Sequence, residues 1–305
     1  MLKMLRQKFV SFLRRLLGTA QILQQCQRHQ QHQQQILLIL GNALKYSLTD
    51  PEKVKTTIAY KRCAEIVTLF SPMDVKGEKY VRVGGDYDGG YVMLDDFQKE
   101  KVDAAYSFGI GDEASWDEAI ANRGIDVFMF DHSINRLPKR HSKFHYFKTG
   151  VTGLKKGANL KTLGELIVEN GHTTCKNLIM KMDVEGCEWD VFKEAASDVI
   201  GQFSQLVVEF HGLSSAVYDQ KYLSIVNVLK KINQTHQSIH VHANGINAPL
   251  WIGKLVLPEL LEVTYIRRMD VKDKLIANIR QFPTEIDRPV SEGWPDLYLG
   301  NFSGD

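Results

Sequence analysis

Three carboxylates follow an apolar run in the middle of this 305-residue chain. The run Leu178–Met182 (LIMKM) contains one lysine and no acid, and Asp183, Glu185 and Glu188 come within the next six residues. An apolar run of this length, entered from a polar loop, is typical of a buried parallel strand. Because ligands bind at the carboxyl ends of such strands, these carboxylates mark the edge of a candidate active site.

A second group of polar side chains ends the next strand-like run. Lys181 needs a partner, because an unpaired ammonium in a buried strand is costly, and Asp183 lies two residues on along the same face. The run Gln205–His211 (QLVVEFH) places Glu209 and His211 at the corresponding end. Consecutive strands in this topology tend to be neighbours, so we expect these four polar side chains to converge on one rim.

Such a rim could orient a hydroxyl, accept its proton or bind a metal ion. Asp183 and Glu209 with one histidine would offer oxygen and imidazole ligands, although we expect a site without a metal. Two further histidines, His240 and His242, alternate on a later strand and would face the same end. The plain structural alternative is an ion pair between Lys181 and an acid.

A glycine turn precedes these strands. Gly109 and Gly111 come directly after the strand-like run Ala104–Phe108 and before a predicted helix. The first glycine permits a tight turn, and the second lets a ligand approach the backbone. Asp131 ends the next strand, 22 residues after Gly109, where a carboxylate can accept both hydroxyls of a ribose. These features indicate a site for an adenosine-containing cofactor, and a turn without a ligand is the alternative.

The same turn allows other interpretations. Gly109, Gly111 and Ala114 satisfy the pattern G-x-G-x-x-A, so a nicotinamide-dependent oxidoreductase is a second hypothesis. Asp112, inside the turn, could contact a cofactor or cap the following helix.

The order of the predicted elements indicates the fold class. Strand and helix patterns alternate after residue 104, and no helix long enough to cross over separates the last two strands, 238–243 and 260–268. This pattern predicts an α/β fold with a doubly wound, mostly parallel sheet whose last strand runs antiparallel. Before it, Asp50-Pro51 begins a helix predicted to reach about Phe70, and residues 80–94 are predicted to form a hairpin.

The first 49 residues differ from the rest in charge. They contain seven Lys or Arg and no acid, while the net charge of the whole chain is +2, so the remainder carries −5. A generally basic nucleic-acid-binding protein is therefore not expected. Residues 1–20 have the spacing of a basic amphipathic helix, which could contact an anionic membrane surface or serve mitochondrial targeting. Arg14 and Arg15 exclude a membrane-spanning helix there.

These patterns divide the chain into two parts. Residues 1–49 form the basic leader and a glutamine-rich spacer, and residues 50–305 form the catalytic domain, whose first part, 50–100, is a helical and hairpin extension. The four cysteines lack metal-binding spacing, although Cys175 and Cys187 could pair in an oxidising compartment. Cytoplasmic, membrane-associated and mitochondrial locations all stay open.

With these residues in place, the chain resembles the FkbM-type methyltransferases, S-adenosylmethionine-dependent enzymes with the class I seven-stranded fold. The most specific block is Lys181-x-Asp183-x-Glu185-Gly186-x-Glu188. The resemblance covers about residues 80–302 and rests, in family order, on VGGDYDGGYVM, AYSFGIGDEASWD, FDHSI, TLGEL, LIMKMDVEGCEWDVF, LVVEFH, HVHANG and LPELLEVTYIRR.

The resemblance implies a methyl donor bound around Gly109, Gly111 and Asp131, with Asp183 near the transferable methyl group. It also implies O-methylation of a hydroxyl-bearing small molecule or glycan-like acceptor. The turn lacks the acid that many class I enzymes carry at its start and has Tyr106-Ser107 there instead. Asp112 or Asp117 could then contact the amino group of the donor.

The sequence therefore predicts an S-adenosylmethionine-dependent methyltransferase. Asp183, His211 or Lys181 would orient or deprotonate the acceptor, and Glu209 would support that group from the neighbouring strand. The third hypothesis, from a different class, is a non-catalytic member that binds a membrane or a partner through its basic leader.

Overall fold

The computed structural model describes residues 50–97, 102–153, 157, 159–243 and 245–304. The basic leader and the glutamine-rich spacer lie outside the described residues. Across the described ranges, no helix has the length and apolar character needed to cross a bilayer. Cys175 and Cys187 are both free thiols, so the disulfide considered between them does not form.

The secondary structure alternates between strands and helices. The strands are β1 (Met73–Val75), β2 (Tyr80–Val83), β3 (Tyr91–Leu94), β4 (Ala104–Phe108), β5 (Val127–Phe130), β6 (Phe144–Phe147), β7 (Gly150–Val151), β8 (Leu160–Lys161), β9 (Leu178–Met182), β10 (Phe203–His211), β11 (His236–His242), β12 (Leu250–Ile252), β13 (Leu255–Leu257), β14 (Leu260–Arg267) and β15 (Leu275–Ala277). The α-helices are α1 (Pro51–Lys55), α2 (Ile58–Phe70), α3 (Ser115–Ala121), α4 (Leu163–Glu169), α5 (Glu188–Glu194), α6 (Ser197–Ile200) and α7 (Asp219–Thr235).

A seven-stranded sheet forms the centre of the fold, in the order β11-β14-β10-β9-β4-β5-β6. The strands from β10 to β6 pair in parallel, whereas β14 is antiparallel to both of its neighbours. The predicted mostly parallel sheet with an antiparallel last strand is therefore confirmed. Within this sheet the chain enters at β4, moves outward through β5 to β6 and then returns to the other side of β4 as β9. The topological switch point therefore lies between β4 and β9.

Both faces of the sheet are covered, which explains why its central strands are apolar throughout. Every residue of β4 and β9 is buried. Helices α2, α4, α5 and α7 pack on one face, against side chains such as Phe108, Met180 and Phe210. Helix α3 and the β2–β3 hairpin cover the other face, against Ile179 and Val207. A strand between two packed layers has no solvent face and so no polar alternation.

The β2–β3 hairpin is attached to the sheet by side chains that bond to its backbone. Gln205 on β10 is fully buried, accepts a hydrogen bond from the Leu94 amide (3.0 Å) and donates one to the Leu94 carbonyl (3.1 Å). Its amide also donates to Asp96 (2.6 Å). The hydroxyl of Thr264 on β14 donates to the Val92 carbonyl (2.5 Å). These bonds fix strand β3 of the hairpin on this face of the sheet.

Threonine side chains set the starts of two helices. The helix predicted from Asp50 to Phe70 is wrong as a single helix: it is divided into α1 and α2, because the Thr57 hydroxyl accepts a hydrogen bond from the Tyr60 amide (3.2 Å) and caps a new helix. Likewise α4 begins after Thr162, which forms a capping box with Glu165. In both cases a threonine side chain satisfies backbone donors that a continuous helix would have used.

We expect Gln205→Met to lower the free energy of unfolding by about 1–3 kcal/mol, because the buried N–H and C=O of Leu94 lose their partners. Urea denaturation measures this change. Gln220→Met, at an exposed position of α7, is the matched control and should leave the midpoint almost unchanged. Equal midpoints for the two variants would show that the hydrogen bonds between Gln205 and Leu94 do not stabilise the fold.

Candidate active site

A cavity of about 340 Å³ opens at the carboxyl ends of β4, β5 and β9. Its walls include the hairpin tip, the glycine turn (109–113), the residues after β5 (131–133) and those after β9 (183–185). This is the switch point of the sheet, where ligands of doubly wound folds bind.

The glycine turn packs directly against the end of β9. Gly109 has a φ of +73°, and a Cβ at this position would lie only 1.6 Å from the Asp183 carbonyl oxygen. Gly111 also has a positive φ (+59°), but a Cβ there would meet no atom within 4 Å. Gly109 is therefore required for close backbone approach, whereas Gly111 is required only for backbone conformation.

Lys181 connects the turn to the acids. Its ammonium donates to the Gly109 carbonyl (2.5 Å) and lies 3.8 Å from Asp183 Oδ2. The predicted partner Asp183 is thus the second contact, and the turn carbonyl is the first. A buried ammonium that bridges these two groups holds the glycine turn beside the acid.

Asp131 shapes the same turn from the other side. Its Oδ2 accepts hydrogen bonds from the amides of Ile110 (2.9 Å) and Gly111 (3.0 Å), and its Oδ1 accepts from the Ser133 amide (2.7 Å) and hydroxyl (2.6 Å). Burial alone would raise the pKa of Asp131, but these hydrogen bonds lower it to about 2. Because four donors occupy the carboxylate, a ribose would have to share it with Ser133, and the ribose contact stays a prediction.

Two other acids lie near the turn. Asp112 is exposed on the rim of the cavity, and α3 begins at Ser115 with Ala114 as its N-cap, so Asp112 does not cap that helix. Asp117 is only 2% exposed and lines the cavity, and its Oδ1 has no hydrogen-bond partner among the described residues. Burial raises the pKa of Asp117. A cationic group bound in the cavity would relieve this unpaired buried carboxylate.

The four predicted polar residues do come together at the carboxyl ends of β9 and β10. Strands β9 and β10 pair Met182 with Val208, which sets Asp183 beside Glu209. The Nε2 atom of His211 lies 3.9 Å from Asp183 Oδ1 and 4.0 Å from Glu209 Oε1. Burial raises the pKa of Glu209 well above its usual range, and the charge of Asp183 adds to this effect.

The sequence did not indicate the role of Glu188, which holds His211 in place. Glu188 is fully buried, and its Oε1 accepts from the His211 amide (2.7 Å) and lies 3.2 Å from His211 Nδ1. Burial would lower the pKa of His211, but the hydrogen bond and charge of Glu188 raise it. Nothing in the local sequence connects Glu188 with His211, because the two residues are 23 positions apart. The only sequence signal is an acid beside Trp189, whose indole also donates to the His211 carbonyl (2.8 Å).

His240 and His242 do not join this group. Strand β14 separates their strand, β11, from β10. His240 Nε2 lies 2.9 Å from Asp287, and His242 lies between Glu262 and Asp296, at 2.9 Å from each. Both histidines lie toward the same end of the sheet as Glu209, as expected, because β10 and β11 are both antiparallel to β14. They hold neighbouring segments on the sheet and are not part of the cluster.

The strand order and the cavity at the switch point define a class I methyltransferase. A family model described as a methyltransferase domain matches residues 70–247, and the chain belongs to this family. S-adenosylmethionine is therefore the methyl donor, and the glycine turn is not that of a nicotinamide-dependent oxidoreductase. No curated protein matches the chain.

Similar solved structures are also methyltransferases, at low similarity. N-methyltransferase NodS from Bradyrhizobium japonicum WM9 is 10% identical, with a TM-score of 0.30, over 56% of this chain and 89% of that chain. A putative methyltransferase from an antibiotic biosynthesis pathway of Anabaena variabilis ATCC 29413 is 11% identical, with a TM-score of 0.29, over 49% of this chain and 63% of that chain. A variant of the 16S rRNA (adenine(1408)-N(1))-methyltransferase from Catenulisporales acidiphilia is 9% identical, with a TM-score of 0.30, over 62% of this chain and 97% of that chain.

The two glycines provide a matched pair of substitutions. Gly111→Ala should cost about 1–2 kcal/mol of unfolding free energy, since a side chain is strained at this positive φ. Gly109→Ala should cost about 1–3 kcal/mol more, because its Cβ would also overlap the Asp183 carbonyl. Urea denaturation of both variants tests the order, and equal losses would contradict the close approach at Gly109.

Proposed function

We propose that this protein transfers the methyl group of S-adenosylmethionine to a hydroxyl oxygen of a small-molecule or glycan-like acceptor, as an enzyme of the FkbM type. The observation that carries the proposal is the polar cluster of Asp183, Glu209 and His211 beside the cavity that the glycine turn lines. O-methylation follows from the sequence resemblance, and the cluster offers the groups that a hydroxyl acceptor needs.

The donor side consists of the turn and the acids around it. When bound, S-adenosylmethionine supplies an electrophilic methyl group on its sulfonium. Gly109 and Gly111 give the turn the backbone conformation that lines the donor side of the cavity. Asp131 both fixes the turn and is the candidate for the ribose of the donor. The unpaired carboxylate of Asp117, or that of Asp112 on the rim, would receive its amino group.

The acceptor side consists of the cluster at the ends of β9 and β10. Asp183 is the candidate for direct contact with the acceptor hydroxyl, because it lies between the turn and His211. As the hydroxyl oxygen bonds to the methyl group, the carbon–sulfur bond of the donor would break and release neutral S-adenosylhomocysteine. The cluster would accept the hydroxyl proton. Lys181 keeps the turn and Asp183 together, so the two reactants meet in a fixed orientation. Such alignment is the main contribution that the protein makes to this reaction.

Calorimetric titration tests the donor side. We expect saturable binding of S-adenosylmethionine, and its absence at millimolar donor would overturn the proposal. Asp117→Asn should weaken binding at least about tenfold, because a charge-assisted hydrogen bond is lost. Asp112→Asn, at the exposed rim position, is the matched control and should change the affinity less. The reverse order would assign the amino group to Asp112.

Methyl transfer tests the acceptor side. A screen of metabolite extracts with methyl-labelled donor should first identify an acceptor. Asp183→Asn should then lower turnover by about 10²–10⁴-fold with donor affinity almost unchanged, because the acceptor loses its contact and proton acceptor. Asp190→Asn, on the exposed face of α5, is the control. Full turnover in Asp183→Asn would show that this carboxylate is not essential.

A further inference from the structure

We propose that Asp183, Glu209 and His211 bind a divalent metal ion on the acceptor side of the cavity. Each residue offers one ligand atom, and the three atoms lie within 4.8 Å of one another. Two ligand atoms of one ion lie at most about 4.2 Å apart around Mg²⁺, whose bonds are about 2.1 Å long, and at most about 5 Å apart around Ca²⁺, whose bonds are about 2.3–2.6 Å long. The three atoms can therefore surround one ion after small side-chain movements. In the rest of the described chain, no other set of acids, histidines and cysteines has this geometry.

His211 is already oriented as a ligand. Glu188 lies on its Nδ1 side and binds its backbone amide, so Nε2 faces the two carboxylates. The exposed carboxylate of Glu185 lies 3.5 Å from the same Nε2 atom. Trp189 holds the His211 carbonyl from the same helix. A buried carboxylate that fixes one ring nitrogen while the other faces outward is how metal-binding histidines are positioned in proteins.

Glu209 supports the proposal independently, because no described cation lies within hydrogen-bond distance of its buried carboxylate. Its side chain is only 9% exposed, and no described residue donates a hydrogen bond to its carboxylate. The nearest described cation is the His211 ring, at 4.0 Å. Glu209 also lies beside Glu262 in the β10–β14 register. Buried charges are normally paired or coordinate a metal.

Tyr91 is a third observation, from outside the cluster. Its side chain is 2% exposed and lines the cavity, and its hydroxyl has no hydrogen-bond partner among the described residues. The charges of Glu209 and Asp183 act on this hydroxyl, so it lies on the same side of the cavity. A water molecule bound to the ion would supply the missing partner.

The ligand set favours one kind of ion. Two carboxylates with one imidazole and no thiolate suit an ion that accepts both oxygen and nitrogen, such as Mn²⁺. Three protein ligands in an octahedral site leave three positions for water or acceptor oxygens. An acceptor with two neighbouring hydroxyls could then chelate the ion, whose charge would favour loss of a hydroxyl proton. This role rests on the proposed methyl transfer, whereas binding of the ion does not.

Titration of the full chain with Mn²⁺ tests the site. The electron paramagnetic resonance signal of the free ion reports how much of the metal is bound. We expect one bound ion with a dissociation constant below about 1 mM. His211→Ala and Glu209→Gln should each weaken binding at least about tenfold. His145→Ala is the matched control, because His145 also pairs with a carboxylate, Asp126 at 2.8 Å, but lies outside the cluster. It should bind Mn²⁺ like the unchanged protein.

Glu188→Gln keeps all three ligands and should still weaken Mn²⁺ binding by about 10–100-fold, as loss of an orienting carboxylate does. Calorimetry with S-adenosylmethionine on every variant shows that the fold is retained. No Mn²⁺ binding by a chain that binds the donor would overturn the metal site alone. Unchanged Mn²⁺ binding in both His211→Ala and Glu209→Gln would also overturn it. Mn²⁺ binding without donor binding would support the site and overturn the proposed reaction instead.

Discussion

The site depends on one close backbone contact, between the glycine turn after β4 and the end of β9. The Asp183 amide donates to the Phe108 carbonyl (3.0 Å), and Gly109 leaves no space for a side chain against the Asp183 carbonyl. The Lys181 ammonium closes the contact by donating to Gly109. The glycine turn and Asp183 are therefore parts of one rigid unit, and neither can move without the other. This rigidity suits a reaction that needs alignment more than chemical assistance.

The polar cluster beside this unit lowers the stability of the folded protein. Asp183, Glu209 and Glu262 lie close together, and Asp88 adds a further negative charge to their surroundings. Burying like charges is costly, and Lys181 offsets only part of this cost because its shorter contact is with Gly109. Proteins retain such arrangements where function requires them. The large apolar layers on both faces of the sheet supply the stability that this rim lacks.

Much of this arrangement could be predicted from sequence periodicity and strand order. The alternation of strand and helix patterns predicted the sheet. The adjacency of consecutive strands predicted that Asp183, Glu209 and His211 lie together. What could not be predicted depends on contacts between distant segments. Glu188 reaches His211 across 23 residues, and Asp287 and Asp296 bind β11 from a segment without periodic pattern. Side-chain competition for backbone donors, as at the Thr57 cap, also escapes a periodicity argument.

The attachment of the β2–β3 hairpin leaves the sequence of its tip free to change among relatives. Gln205 and Thr264 bind the backbone of β3 at Leu94 and Val92, and Gln205 also binds the Asp96 side chain just after the strand. None of these contacts involves a side chain of the hairpin tip. Side chains at the hairpin tip, such as Asp88, can therefore be exchanged without loosening the attachment. The tip borders the cavity, so relatives could evolve toward new acceptors by altering this loop while the catalytic machinery beneath it stays intact.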